Sequence, residues 1–305
     1  MQQPDGADIA VIGLGVMGQA VATHLISVGR SVRGYDLSAD ALTRFAAAGG
    51  RVAASPAEAA RGVGCALLIV HNESQVDMVI FGPGGLAETL AGGAVVWLAS
   101  TVSPSYVRGL EPRLAQLGVW LVDGPVSGGP SRAGRGELSI FVGGEDEAIA
   151  AIRPLMNDCA AQLFTAGAIG AASTMKLINQ ILTASHIALT AEALALGQLA
   201  GIEPDLLITA ITQSAGTSRQ FELRAPRMAA SDHRIDATIR TFEKDLTIAV
   251  DAANDLGGTV PMAEAARTVF RAADAFGFGD ESDTMLLTAY ERNLDETADP
   301  GPVAR

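Results

Sequence analysis

Two cysteines in 305 residues leave no material for a disulfide framework or a cysteine-rich metal cluster. Cys65 and Cys159 lie in apolar surroundings without metal or redox spacing, which reads as buried free thiols in a reducing cytoplasm. The four histidines, His24, His71, His186 and His233, are scattered and outline no metal site. Basic residues are also scarce. Lys and Arg number 21 against 34 Asp and Glu, a net charge of -13 at pH 7, and that sign argues against a nucleic-acid or anionic-membrane partner. No apolar run approaches the ~18 residues of a membrane span, and the polar residues 1–6 do not read as a signal peptide. A cytoplasmic protein is expected. Apolar content is what the chain has: 49% hydrophobic residues over this length can bury a large core, in two domains.

The densest local signal is Asp8-Ile-Ala-Val-Ile-Gly-Leu-Gly-Val-Met-Gly18. A short apolar run leads into Gly13, Gly15 and Gly18, spaced G-x-G-x-x-G, and a helical pattern follows over residues 16–28. Strand, glycine turn and helix in that order form the context in which such glycines bind a dinucleotide. Gly13 permits the tight turn, Gly15 lets the backbone approach a pyrophosphate, and Gly18 lets helix and strand pack closely. The first-turn amides, including those near Leu14, Val16 and Met17, then face the anion with the positive end of the helix dipole. A second strand pattern over 31–36 ends in Asp36, about 20 residues past the glycines, where an acid can accept from the adenosine ribose hydroxyls. Leu37-Ser38 follows where an Arg for a 2′-phosphate could stand, so NAD is favoured over NADP. The bland alternative makes Asp36 a cap for the helix beginning near Ala39.

Further strand patterns cover 65–70, 94–98, 119–123 and 138–142, with helical stretches near 39–48, 56–61, 75–80 and 104–117. That alternation predicts a doubly wound α/β sheet of Rossmann type, covered by helices, with ligands at the carboxyl ends of the strands. Past about residue 165 strand signals stop. Residues 168–200 form a nearly unbroken helix pattern, about 45 Å long and apolar almost all round, which calls for burial in a larger body or an oligomer. More helices are expected at 204–214, 238–256, 261–276 and 283–297, and a disordered tail at 299–305. The expected division is residues 1–166 as the dinucleotide domain and 167–305 as an all-helical substrate and oligomerisation domain, joined by the long helix. A homodimer or homotetramer through the helical domain follows. In that helix Lys176, Asn179 and Gln180 stand at i, i+3 and i+4 on one face. A lysine and two carboxamides in an apolar helix suggest a wet cleft, or else a surface stripe with a snorkelling lysine.

These residues carry a resemblance to the beta-hydroxyacid dehydrogenase family, which includes 3-hydroxyisobutyrate, tartronate-semialdehyde and threonate dehydrogenases. It spans about residues 8–295. It rests on Gly13-Leu-Gly-Val-Met-Gly18, Asp123-Gly-Pro-Val-Ser-Gly-Gly129, Gly170 through Lys176-Leu-Ile-Asn-Gln180, and Phe242-Glu-Lys-Asp-Leu246. The resemblance implies that Lys176 is catalytic, that Asn179 or Gln180 holds the substrate, and that Ser127, Gly128 and Gly129 grip its carboxylate. It also implies cofactor contacts from Val70, His71, Gln75, Thr101 and Lys244. The implied activity is NAD-dependent interconversion of a small 3-hydroxy acid, such as 3-hydroxyisobutyrate, 2-hydroxy-3-oxopropionate or threonate, and its oxo acid.

Chemistry makes sense of the set. An ammonium aimed at the oxygen stabilises developing alkoxide charge, and a neutral amine takes the proton. Desolvation in a closed cleft favours the neutral form. Ser127-Gly-Gly129 offers a hydroxyl and exposed amides, a nest suited to a carboxylate, where the plain alternative is a strand-to-helix turn. Two departures stand out: Val70-His71 replaces the Leu-Pro common in relatives, and Arg219 follows Ser218 where threonate-type relatives place an aromatic. An imine reductase-like NAD(P)H enzyme is one rival, weakened by Lys176 and Asp36. A non-catalytic NAD-binding protein is the other.

Overall fold

The computed structural model describes residues 9–292. Residues 1–6, the tail at 299–305 and the end of the helix expected to reach 297 lie outside those described residues. Among them nine strands form one sheet: β1 (Ile9–Ile12), β2 (Val32–Tyr35), β3 (Arg51–Val52), β4 (Cys65–Leu68), β5 (Val95–Leu98), β6 (Trp120–Asp123), β7 (Val126–Ser127), β8 (Leu138–Gly143) and β9 (Ala160–Gly167). The spatial order is β3-β2-β1-β4-β5-β6-β8-β7, with β9 paired to β8. From β3 to β6 every pairing is parallel; β8 runs antiparallel to β6 and β7 and parallel to β9.

Successive residues of a strand point to opposite faces, and both faces here are dry. Ile9, Val11, Cys65, Leu67, Val95 and Trp97 belong to one core, against α1 (Val16–Ser27), α2 (Ala39–Ala47) and α7 (Asp146–Cys159). Ala10, Ile12, Ala66, Leu68, Val96 and Leu98 belong to the other, against α3 (Pro56–Ala60), α4 (Glu73–Phe81) and α5 (Pro104–Ala115). This is the doubly wound sheet the alternation predicts. Burial on both faces explains why β1, β4 and β5 read as continuous apolar runs. A short α6 (Gly129–Ala133) follows β7.

The long helix α8 spans Ala171–Leu199. It starts three residues later than its pattern because Gly167 and Gly170 have φ of +120° and +89°, outside helical geometry. Next come α9 (Pro204–Thr212), α10 (Arg219–Ala229), α11 (Ile239–Asp255), α12 (Pro261–Ala273) and α13 (Leu286–Glu291). A π turn at Asp274–Phe278 ends the α12 run, with Gly277 at φ +91°. The second half is thus helical, as expected. The described residues divide into two compact units, one ending at Lys176 and the other beginning at Leu177. In the second, Ala184, Ile187, Ala191 and Leu194 of α8 share a core with Phe221, Phe242, Leu246 and Phe270.

The sequence reading passes over β3, β7, β9, α6, α7 and α10. The reasons are local. β9 is mostly exposed and lacks an alternating apolar pattern. α7 and α10 run unbroken through Pro154 and Pro226, as α5 does through Pro112, because tertiary packing holds each helix across its proline.

Candidate active site

Parallel register brings five strand ends to one edge. Ile12 pairs with both Tyr35 and Leu68, Leu68 with Leu98, and Leu98 with Asp123. The segments leaving that edge carry most of the expected site: Gly13–Gly18 after β1, Asp36 after β2, Val70 and His71 after β4, Thr101 after β5, and the 124–129 loop after β6. The order β2-β1-β4 reverses direction between β1 and β4, the crevice where such sheets take a ligand.

The three glycines do different things. Gly13 turns with φ +94°, and a Cβ there would meet the Ile69 carbonyl oxygen at 2.3 Å. A Cβ on Gly18 would lie 1.8 Å from the Gly13 carbonyl oxygen, so helix α1 can approach β1 this closely only with hydrogen at that position. Gly15 has no protein atom within 4 Å of its would-be Cβ, and it serves as the N-cap of α1 without a side-chain acceptor. The space beside its Cα is open at a helix N-terminus, which fits close approach of a pyrophosphate. Leu14 is buried, while Val16 is exposed and Met17 half-buried.

Asp36 is engaged with the glycine turn. Its Oδ2 accepts from the Leu14 amide at 2.6 Å and its Oδ1 from the Ser38 amide at 2.8 Å. The cap of α2 is Ser38, whose hydroxyl accepts from the Ala41 amide. Asp36 therefore braces the turn, with Leu37 fully out in solvent beside it. After β4 the Val70 amide donates to the buried Ser100 hydroxyl at 2.9 Å, and the His71 amide donates to Gln75 Oε1 at 2.7 Å. His71 and Gln75 are exposed and Thr101 is half-buried. At the next loop Ser127 is half-buried and Gly128 exposed, with φ +139° and +72° at Gly128 and Gly129, backbone states that favour glycine.

Lys176 is 8% exposed. It lies one turn beyond Ser173, whose hydroxyl donates to Asp123 Oδ1 at 2.6 Å. Asp123 Oδ2 accepts from the Gly170 and Ser173 amides at 3.0 and 2.9 Å. Burial pushes the Asp123 carboxyl above the ordinary carboxylate range, against the pull of those hydrogen bonds.

In the second unit the expected residues form a chain of side-chain contacts. Asn179 Nδ2 donates to Gln180 Oε1 at 3.1 Å, and Gln180 Nε2 donates to Asp245 Oδ2 at 2.6 Å. Lys244 Nζ pairs with Asp245 Oδ1 at 2.8 Å. Asp245 sits among the buried Phe242, Leu246 and Ala249 of α11. The sequence reading assigns no role to Asp245, Asp123, Ser173 or Ser100. An acid on the apolar face of an amphipathic helix is the signal that could have singled out Asp245. Ser218, in the segment likened to a substrate loop, caps α10 by accepting from the Phe221 amide, and Arg219 is exposed and paired with Glu222 at 3.6 Å. Cys65 and Cys159 are free thiols, and no cluster able to hold a metal ion occurs among the described residues.

A Rossmann-type sheet with a glycine turn at its switch point defines a dinucleotide-binding architecture. A family model described as the NAD binding domain of 6-phosphogluconate dehydrogenase matches residues 8–169. A second, described as the NAD-binding of NADP-dependent 3-hydroxyisobutyrate dehydrogenase, matches 170–290. An L-threonate dehydrogenase of Cupriavidus necator is 38% identical over 284 residues, 93% of this chain and 96% of that protein. The crystal structure of 3-hydroxyisobutyrate dehydrogenase from Salmonella typhimurium superposes with a TM-score of 0.85 at 33% identity, covering 92% of this chain and 98% of that one. A Streptomyces aurantiacus imine reductase shares the fold at a TM-score of 0.64 and 24% identity, over 92% and 99% of the two chains. The chain belongs to the beta-hydroxyacid dehydrogenase family.

Proposed function

We propose that the chain oxidises a small three- or four-carbon hydroxy acid, of the threonate or 3-hydroxyisobutyrate kind, to its oxo acid, using NAD in preference to NADP. The observation that carries this reading is a buried amine, Lys176, on a segment fastened to the end of β6, from which the Ser127–Gly129 loop departs. The L-threonate dehydrogenase and 3-hydroxyisobutyrate dehydrogenase relatives support the substrate class. When bound, the nicotinamide supplies the hydride acceptor. Lys176 Nζ takes the hydroxyl proton as the carbonyl forms and returns it in the reverse direction. Ser127 Oγ and the amides of Gly128 and Gly129 hold the carboxylate, and Asn179 and Gln180, within one turn of Lys176 on α8, orient the hydroxyls.

The cofactor is assigned to Gly13, Leu14, Gly15, Val16, Met17 and Gly18 at the pyrophosphate, Asp36 at the adenosine ribose, and Val70, His71, Gln75, Thr101 and Lys244 along its length. Asp36 repels a 2′-phosphate, and exposed Leu37 offers nothing to offset that. Residues 1–166 serve as the dinucleotide domain and 167–305 as the substrate and assembly domain. Met175, Leu182, Leu189 and Leu196 recur every seventh residue on the exposed side of α8. That repeat is the seam of a helix pairing, so a cytoplasmic homodimer or homotetramer through the helical half is part of the proposal.

The decisive experiment supplies purified protein with a panel of threonate, 3-hydroxyisobutyrate, glycerate and serine, each with NAD and with NADP, and follows nicotinamide reduction. Turnover of a hydroxy acid with NAD at least ~10-fold better than with NADP supports the reading, a tenfold ratio corresponding to about 1.4 kcal/mol. No turnover with any hydroxy acid, alongside retained dinucleotide binding, favours a non-catalytic binder. Reduction of cyclic imines instead favours the imine reductase alternative.

A further inference from the structure

We propose that Asp123 is a positioning residue, which sets the place of Lys176 by supplying from the end of β6 the cap that the first turn of α8 lacks. The inference rests on the assignment of Lys176 as the proton-transfer group.

A helix begins with amides that need acceptors, usually met by a Ser, Thr, Asp or Asn just before it. α8 has none. Ala168, Ile169 and Gly170 precede it, and its first turn contains no acid. The acceptor comes instead from 47 to 50 positions upstream: Asp123 takes the Gly170 and Ser173 amides on one oxygen and the Ser173 hydroxyl on the other. Asp123 is 0% exposed and Ser173 3%. Burying a carboxylate carries a desolvation cost that a local serine or asparagine cap would avoid. What the buried arrangement adds is a fixed link between helix and sheet, with the helix dipole favouring the anion.

Both ends of that link lead to proposed site residues. Downstream of Ser173 by one helical turn stands Lys176. Gly170 turns with φ +89°, a backbone state that favours glycine, and a Cβ there would crowd the Pro104 carbonyl oxygen at 3.1 Å. On the other side, Gly124 follows Asp123, and its carbonyl accepts from Trp97 Nε1 at 2.8 Å. Asp123 thus references the amine and the start of the Ser127–Gly129 loop to one point of the sheet. Misplacing a reacting group by about 1 Å costs on the order of 100-fold in rate.

The test compares Asp123→Ala, Asp123→Asn and Ser173→Ala with Lys176→Ala, measuring kcat, KM for the acid, NAD affinity by fluorescence, and hydrogen exchange of amides 171–176. Asparagine can keep all three bonds, its carbonyl accepting both amides and its NH2 donating to the Ser173 hydroxyl. Asp123→Ala should lower kcat about 100-fold, leave KM and NAD affinity within about threefold, and speed exchange at 171–176 alone. Asp123→Asn should recover most of kcat, and Ser173→Ala should fall between the two. Normal kcat in Asp123→Ala despite faster exchange overturns the proposal, as does equal loss in kcat, KM and NAD affinity. If Asp123→Ala does not fold, normal kcat in Ser173→Ala with faster exchange at 171–176 overturns it instead. Near-normal turnover in Lys176→Ala removes the assignment of Lys176 and this inference together; an inactive Lys176→Ala beside an active Asp123→Ala removes this inference alone.

Discussion

In the first unit, polar groups at the sheet edge are placed mainly by backbone. Register aligns the strand ends, positive φ shapes the turns, and missing side chains let α1 reach β1 and leave open space beside Gly15. In the second unit the candidate groups are placed by one another: Asn179 on Gln180, Gln180 and Lys244 on Asp245. The glycine turn tolerates loss of a side chain and fails when a methyl group is added. A side-chain-built site does the reverse, because removing its hub leaves the partners without their acceptor.

Lys176 tests that contrast, since it is buried and lies one turn beyond Ser173 on α8. Lys176→Ala should keep the fold and NAD affinity and lower turnover at least ~100-fold, as measured by steady-state rates beside fluorescence titration. Asp245→Ala comes next. It leaves Lys244 and Gln180 facing a vacated buried position, and urea denaturation should show a loss of roughly 2–3 kcal/mol, below the 3–5 of a wholly buried pair because Lys244 is partly exposed. A loss under ~0.5 kcal/mol would mean that α11 is held by its apolar face alone.

Paired glycine variants sharpen the first half of the comparison. Gly18→Ala pushes a methyl into the Gly13 carbonyl and should cost about 1–3 kcal/mol of stability as overpacking. Gly15→Ala meets no protein atom, so thermal unfolding should stay put while NAD affinity falls. Equal thermal shifts in the two would break the distinction. A smaller effect, about one decade of cofactor preference or 1.4 kcal/mol, is expected from Asp36→Ser with Leu37→Arg, read as the ratio of kcat/KM for NAD and NADP.

The smallest expected signal is no signal. Burial pushes the Cys159 thiol up to about 12 and the Cys65 thiol further still. Native protein at pH 8 should therefore resist thiol reagents that label both residues after unfolding. The folded-state values are raised, so each thiol's contribution to stability is complete below the unfolded value of about 8.5. It declines as pH rises from there through the folded value. Rapid native labelling would expose an opening of the sheet core.

Legibility in the sequence follows the same division. Gly13, Gly15 and Gly18 were readable because each answers a backbone demand expressed within a few positions, and β1, β4 and β5 because two-sided burial leaves an unbroken apolar run. α10 is held across Pro226 by packing of Phe221, Ala225 and Met228, which a local reading does not see. Lys176, Asn179 and Gln180 were visible as polar interruptions of an apolar helix. Asp123, quoted within a motif, carries no local sign of what it holds, and Asp245 is marked only as an acid on the apolar face of a helix.

The sequence by itself determined the doubly wound half, the helical half, the glycine turn and the acid at the end of β2. Each depends on periodicity or on conformational freedom of neighbouring residues, which short-range sterics enforce wherever the segment sits. Tertiary structure alone decided that Asp36 braces the Leu14 amide, that α8 is capped from β6, and that Gln180 and Lys244 converge on Asp245. Those partners are 22, 47 to 50, and up to 65 positions apart. No local preference selects such a pairing. It forms because a carboxylate shut away from water keeps its charge at tolerable cost only where donors from other parts of the fold reach it.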